Sequence, residues 1–289
     1  PWAPAGGGTV AEVLRAPVAG DEVRVAVHPL GGQGPAVLMA HATGFHGRVW
    51  APVAAALPGF RCLGVDLRGH GDTPAPPDGD FDWDGFGRDL LAVVDGLGLE
   101  RPLGVGHSCG ATALLLAEAA RPGAFGGLWL YEPVVFPVDT PLPRAPEHPM
   151  VTRARARRAD FASREEAYAY FAGRPLFAAS HPEALRAYVE HGLADVAGGG
   201  VTLKCRPADE AEVFAAGVAN RAYSRLARVA CPTTLACGAA TDAFGPAVMA
   251  VQAARLAHAS TVVLEGVGHL GPMEDPVAVA VAVAAAFGG

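Results

Sequence analysis

The sequence predicts an α/β protein: a mostly parallel central sheet with helices on both faces, interrupted by a helical insertion. Three observations predict it. Short apolar runs alternate with longer stretches of helical pattern. The pentapeptide Gly106-His107-Ser108-Cys109-Gly110 joins one apolar run to one helix. The stretch 134–228 breaks the alternation.

The elements follow in order. Glu22 to His28 reads as a strand, with Val23, Val25 and Val27 on one face. Ala36 to Ala40 and Arg61 to Val65 are unbroken apolar runs, as expected of strands covered on both faces. Leu103 to Val105, Leu128 to Tyr131, Thr233 to Cys237 and Thr261 to Leu264 repeat that type. Helices are expected over His46 to Leu57, Asp84 to Leu97, Ala111 to Ala120, Ala247 to Ala257 and Val277 to Phe287. The Val-Ala alternation of the last also suits a strand. Asp275-Pro276 decides for helix, as an N-cap followed by proline at the first helical position. From 134 the chain is first proline-rich, then helical with few strand signals, and a Gly198-Gly199-Gly200 turn interrupts it. The expected organisation is a core of 1–133 and 229–289 with 134–228 inserted as a lid.

Composition narrows the function. The chain is 51% hydrophobic and 18% charged, which suits a globular protein with a sizeable core. A formal charge of −7 argues against a nucleic-acid or anionic-membrane partner. The longest apolar run, Val277 to Phe287, is too short to span a bilayer. Pro1 to Gly8 shows no basic and apolar leader, and five cysteines without a C-x-x-C suggest free thiols. A cytoplasmic location is therefore expected, with the start of the chain trimmed. Lys204 is the only lysine; the arginine, alanine, glycine and proline bias suggests a GC-rich bacterial genome.

The pentapeptide reads G-x-S-x-G between a strand and a helix, the context of a nucleophile elbow. With 37 glycines and five serines in 289 residues, about 0.08 such patterns are expected by chance. A serine hydroxyl needs a base, and the base an orienting carboxylate. His269, in the glycine-rich loop after the last strand, is the expected base. Asp242, beyond the strand Thr233 to Cys237, is the expected acid; Glu132, at the end of the preceding strand, is its rival. Asp66 also ends a strand, but before the serine, and reads as structural. The amides of Cys109 and Thr43 are the expected oxyanion donors. His41, Phe45, His46, His107, Glu132 and Leu270 are the candidate pocket residues, with His41 bracing its loop. The arginines 153, 155, 157 and 158 span more than one helix face and read as solvated. No metal or cofactor is expected.

Four segments carry a family resemblance. They are His41-Ala42-Thr43-Gly44-Phe45, Asp66-Leu67-Arg68-Gly69-His70-Gly71, Gly106 to Gly110, and Gly268-His269. In this order they resemble the α/β-hydrolase fold enzymes, with Ala42 where that family usually has glycine. The resemblance implies an α/β-hydrolase fold with a cap, and hydrolysis of a carboxylic ester, thioester or lactone of a small to medium apolar substrate. Serine at the apex speaks against the epoxide hydrolases and haloalkane dehalogenases of the superfamily, which carry aspartate there. Cofactor-free lyase, perhydrolase or acyl-transfer use of the same triad stays open, as does a non-catalytic ligand-binding role. The oligomeric state is not legible.

Overall fold

The computed structural model describes residues 14–17, 24–140 and 142–288. The first described elements are β1 (Leu14–Pro17), β2 (Arg24–Gly31) and β3 (Ala36–Ala40). After a short helix α1 (Ala51–Ala55) come β4 (Arg61–Val65), α2 (Trp83–Gly96), β5 (Leu103–His107), α3 (Cys109–Ala120) and β6 (Gly127–Tyr131). The expected first strand begins at Arg24; Glu22, Val23 and the segment Pro1 to Gly8 lie outside the described residues. The expected helix His46 to Leu57 is instead a 3-10 turn, Gly47–Trp50, and the five residues of α1. Gly47 explains part of this: a Cβ there would lie 2.6 Å from the Gly64 carbonyl carbon, so the turn rests directly on β4.

Between β6 and the next sheet strand the chain forms α4 (Pro149–Arg155), β7 (Asp160–Phe161), α5 (Arg164–Ala172), α6 (Pro182–Gly192), β8 (Leu193–Asp195), β9 (Val201–Leu203), α7 (Pro207–Gly217) and α8 (Ala222–Arg225). Its three strands pair antiparallel in the order β7-β9-β8. At two or three residues each, they are too short to show a period-two pattern. Gly198, Gly199 and Gly200 make the β8–β9 turn, all at positive φ, where glycine alone is unstrained. The core resumes with β10 (Thr233–Gly238), α9 (Pro246–Ala253), β11 (Ala259–Leu264), α10 (Gly271–Glu274) and α11 (Pro276–Phe287).

The eight-stranded sheet has the order β1-β2-β4-β3-β5-β6-β10-β11. It is antiparallel at β1-β2 and β2-β4 and parallel from β4 onward. Alternate residues explain how both faces are covered. Leu38, Ala40, Leu128 and Leu130 enter the core shared with α2 and α3. Val37, Met39, Trp129 and Tyr131 enter the core on the opposite face, with Trp50, Val53 and Val283. That second core is continuous with Phe161, Phe171, Phe177 and Tyr188 from the segment between β6 and β10. One strand departs from expectation: β11 ends the sheet and is largely exposed rather than covered on both faces. The chain turns from β3–β4 to β5–β6 between β3 and β5, and a crevice at such a reversal is where open α/β sheets bind ligands.

Candidate active site

At the C-terminal end of β5 the chain turns sharply through Ser108, at φ 53° and ψ −115°, and α3 begins at the next residue. A left-handed, non-glycine backbone is costly and persists only where the surroundings impose it. Two glycines make the turn fit. A Cβ on Gly106 would lie 2.6 Å from the Ala111 Cα, and one on Gly110 would lie 2.5 Å from the Ala40 carbonyl carbon. The Ser108 amide donates to the Tyr131 carbonyl at 2.9 Å, which fastens the elbow to β6.

His269 sits in the loop between β11 and α10, about one third exposed. Its Nδ1–H donates to Glu132 Oε2 at 2.6 Å. The carboxylate hydrogen-bonded to His269 is thus Glu132, from the end of β6, and not the expected Asp242. Asp242 is exposed, and no hydrogen bond or ion pair joins it to His269 among the described residues. The cause is the path of the chain after β10. The Ala239 and Ala240 amides donate to the Leu264 and Val267 carbonyls, which turns Thr241 inward and leaves Asp242 on the outside. Glu132 itself is 0% exposed and at φ 45°. Its Oε1 accepts from the Gly238 amide at 3.0 Å and its Oε2 also from the Thr241 hydroxyl at 2.8 Å.

The His269 loop is gripped at one peptide plane. The Tyr131 hydroxyl donates to the Gly268 carbonyl at 2.5 Å, and the Gly268 amide donates to Glu274 Oε2 at 2.6 Å. Burial, with Glu132 and Glu274 nearby, pushes the Tyr131 phenol upward, so it stays a donor. Beside it, His107 is buried with its ring 5.0 Å from that of His269. Its Nε2 has no hydrogen-bond partner among the described residues. Burial first, and the neighbouring His269 second, hold its pKa well below the ordinary histidine value.

The Thr43 loop follows β3. His41 braces it as expected: Nδ1–H donates to the Ala42 carbonyl at 2.7 Å, and Nε2 accepts from the Leu67 amide at 3.0 Å. The Gly44 amide donates to His70 Nε2 at 3.0 Å. Cys109 opens α3, where the first amides have no intrahelical acceptor. Thr43 lies near its thiol, and burial pushes the thiol pKa far up. Gly44, at φ 81°, leaves room for the Glu210 carboxylate, whose Cδ would lie 3.0 Å from a Cβ there. Arg157 pairs with that carboxylate at 2.7 Å and donates to the Tyr188 hydroxyl, so it is not the solvated arginine expected. Lys204 is likewise engaged, with Asp72 at 2.6 Å.

The remaining pocket candidates separate. Phe45 packs on Phe177 and Tyr188, and Leu270 joins the same buried cluster. His46 reaches α6, where Nε2–H donates to the Tyr188 carbonyl at 3.2 Å. Glu132 is no lining residue; it is sealed behind His269. Elsewhere, the ligand atoms of His28, Asp66 and Asp72 converge within 4.8 Å. The Asp66 oxygens accept from His28 Nε2 and the Gly47 and Asp72 amides, so they serve the fold and offer no free ligand set. Burial alone would raise the Asp66 pKa; the His28 hydrogen bond and nearby histidines outweigh it and hold it below the carboxylate range.

Comparison with known proteins places the chain. The family model described as "Alpha/beta hydrolase family" matches residues 37–283, and the chain belongs to that family. It is 37% identical over 111 residues to lipase LipV of Mycobacterium tuberculosis, covering 38% of this chain and 41% of that one. It is 35% identical over 99 residues to bifunctional epoxide hydrolase 2 of Sus scrofa, covering 31% and 18%. The matched stretches thus span less than half of these relatives. Among solved structures, E-2-(acetamidomethylene)succinate hydrolase superposes with a TM-score of 0.83 at 22% identity, over 96% of this chain and 100% of that one.

Proposed function

We propose that this α/β-hydrolase family member cleaves a carboxylic ester, thioester or lactone through an acyl-enzyme on Ser108. The observation that carries the reading is the Glu132–His269 hydrogen bond placed beside a strained serine elbow. In this mechanism Ser108 Oγ attacks the acyl carbonyl while His269 Nε2 accepts the hydroxyl proton. The Nδ1–H bond to Glu132 keeps the lone pair on Nε2 and steadies the imidazolium. The Thr43 and Cys109 amides take the oxyanion. His269 returns the proton to the departing alkoxide or thiolate. Water, deprotonated by His269, then releases the acid and restores the serine. Serine at the apex fits the lipase-named relative and not epoxide opening from an aspartate. The segment 134–228 acts as the cap, and its Phe177 and Tyr188 pack on Phe45 of the Thr43 loop.

The test is direct. A fluorophosphonate probe should label the wild type and not Ser108→Ala. That variant should lose p-nitrophenyl ester turnover by at least about a thousandfold with its fold unchanged. Retained turnover in Ser108→Ala, or a wild type that binds ligands but never labels, overturns the reading.

A further inference from the structure

We infer that Thr241 is a positioning residue of this site: its hydroxyl locks the Glu132 carboxylate in the orientation that His269 requires. The inference rests on the reading of Glu132 as the acid of the triad. Thr241 Oγ1–H and His269 Nδ1–H converge on the same oxygen, Oε2, at 2.8 and 2.6 Å, while Oε1 is held by the Gly238 amide at 3.0 Å. The direction of the Thr241 proton follows from its other partner. The Ala243 amide donates to Oγ1 at 3.2 Å, occupying a lone pair and leaving the hydroxyl hydrogen for the carboxylate.

The supporting backbone is constrained. A Cβ on Gly238 would sit 2.7 Å from the Tyr131 hydroxyl and 2.8 Å from the Gly268 carbonyl oxygen. The last residue of β10 and the loop after it each supply a donor to an acid that arrives from β6, where the sequence had led one to expect an acceptor, Asp242. A carboxylate with no solvent exposure gets no such help from water. Both rotation about its terminal bond and the charge left on Oε2 depend on these donors. The other titratable groups around the couple are His107 on β5, Tyr131 on β6, Cys237 on β10 and Glu274 on α10. Thr241 hydrogen-bonds to none of these among the described residues.

Thr241→Val keeps the shape and removes the donor; the Ala243 amide, on an exposed residue, turns to water. The variant should lose about tenfold in kcat, a small part of what the base itself supplies, with KM within about twofold. With one donor fewer, Oε2 pulls harder on the imidazolium, so the acidic limb of the kcat/KM profile should move to higher pH. Thr241→Ser should restore both, and Thr241→Ala provides a second deletion should the valine variant fold poorly. Wild-type kcat and an unmoved acidic limb in Thr241→Val, alongside a crippled Glu132→Gln, overturn the inference and leave the acid assignment standing. A fully active Glu132→Gln removes the acid assignment and the inference with it.

Discussion

Glu132 carries two costs at once: a left-handed backbone and a charge with no access to water. The first is worth about 1–3 kcal/mol. The second is offset only by the three donors that converge on the carboxylate. Ser108, just past the end of the neighbouring strand β5, shows the same left-handed strain. Replacing the carboxylate by an amide of equal size should therefore expose its role. Glu132→Gln is expected to lower turnover by about 10⁴-fold, because the amide favours the wrong imidazole tautomer. Asp242→Asn, on the exposed side of the loop, should stay within about twofold. Steady-state kinetics on one ester substrate decides, and the reverse ranking would return the acid to Asp242. Ser108 and His269 were legible because glycine spacing marks both turns. The carboxylate that reaches His269 was not, because two strands in succession end near carboxylates and only the three-dimensional path selects one. A usable signal existed: Glu132 directly follows the unbroken apolar run Leu128 to Tyr131, and a charge in that position must find partners.

Among the elements, α11 was the most legible despite its ambiguous Val-Ala pattern. The Asp275 carboxylate accepts from the Ala278 amide at 2.9 Å, and Pro276 opens the helix, as the local chemistry predicts. Asp275→Ala should cost about 1 kcal/mol, the usual worth of an N-cap. In a domain of this size that is a fall of about 2–4 °C in Tm, read by circular dichroism with turnover unchanged at 25 °C. A Tm within experimental scatter of the wild type would mean that the packing of Val279 and Val283 alone holds the helix. The less legible elements failed for physical reasons. β7, β8 and β9 are too short to carry a period, and the helix expected after His46 is cut short where Gly47 meets β4. Apolar content did not separate β11, an exposed edge, from the covered strands, because both are rich in valine.

For the molecule as a whole, buried neutral histidines link the candidate site to stability. Burial, then His70, lowers the His41 pKa to about 3, and burial lowers His46 to about 4. His191, beside His46, is lowered to about 3 by burial and then by His46. These residues lie under the Thr43 loop and along the seam where α6 meets the sheet. The unfolded chain takes up these protons near the ordinary value of 6.5, whereas the folded chain does not until pH 3 to 4. Their contribution to stability is thus complete above about pH 6.5 and is lost as the pH falls below it. For His41 and His46 the loss reaches up to about 1.4 kcal/mol per pH unit each. Urea midpoints should fall steadily from pH 7 to pH 5, and His46→Gln should flatten that slope even if it lowers the midpoint at pH 7. A midpoint that stays level from pH 7 to pH 5 would show that His41 and His46 are protonated within the folded chain, and so that the seam admits water.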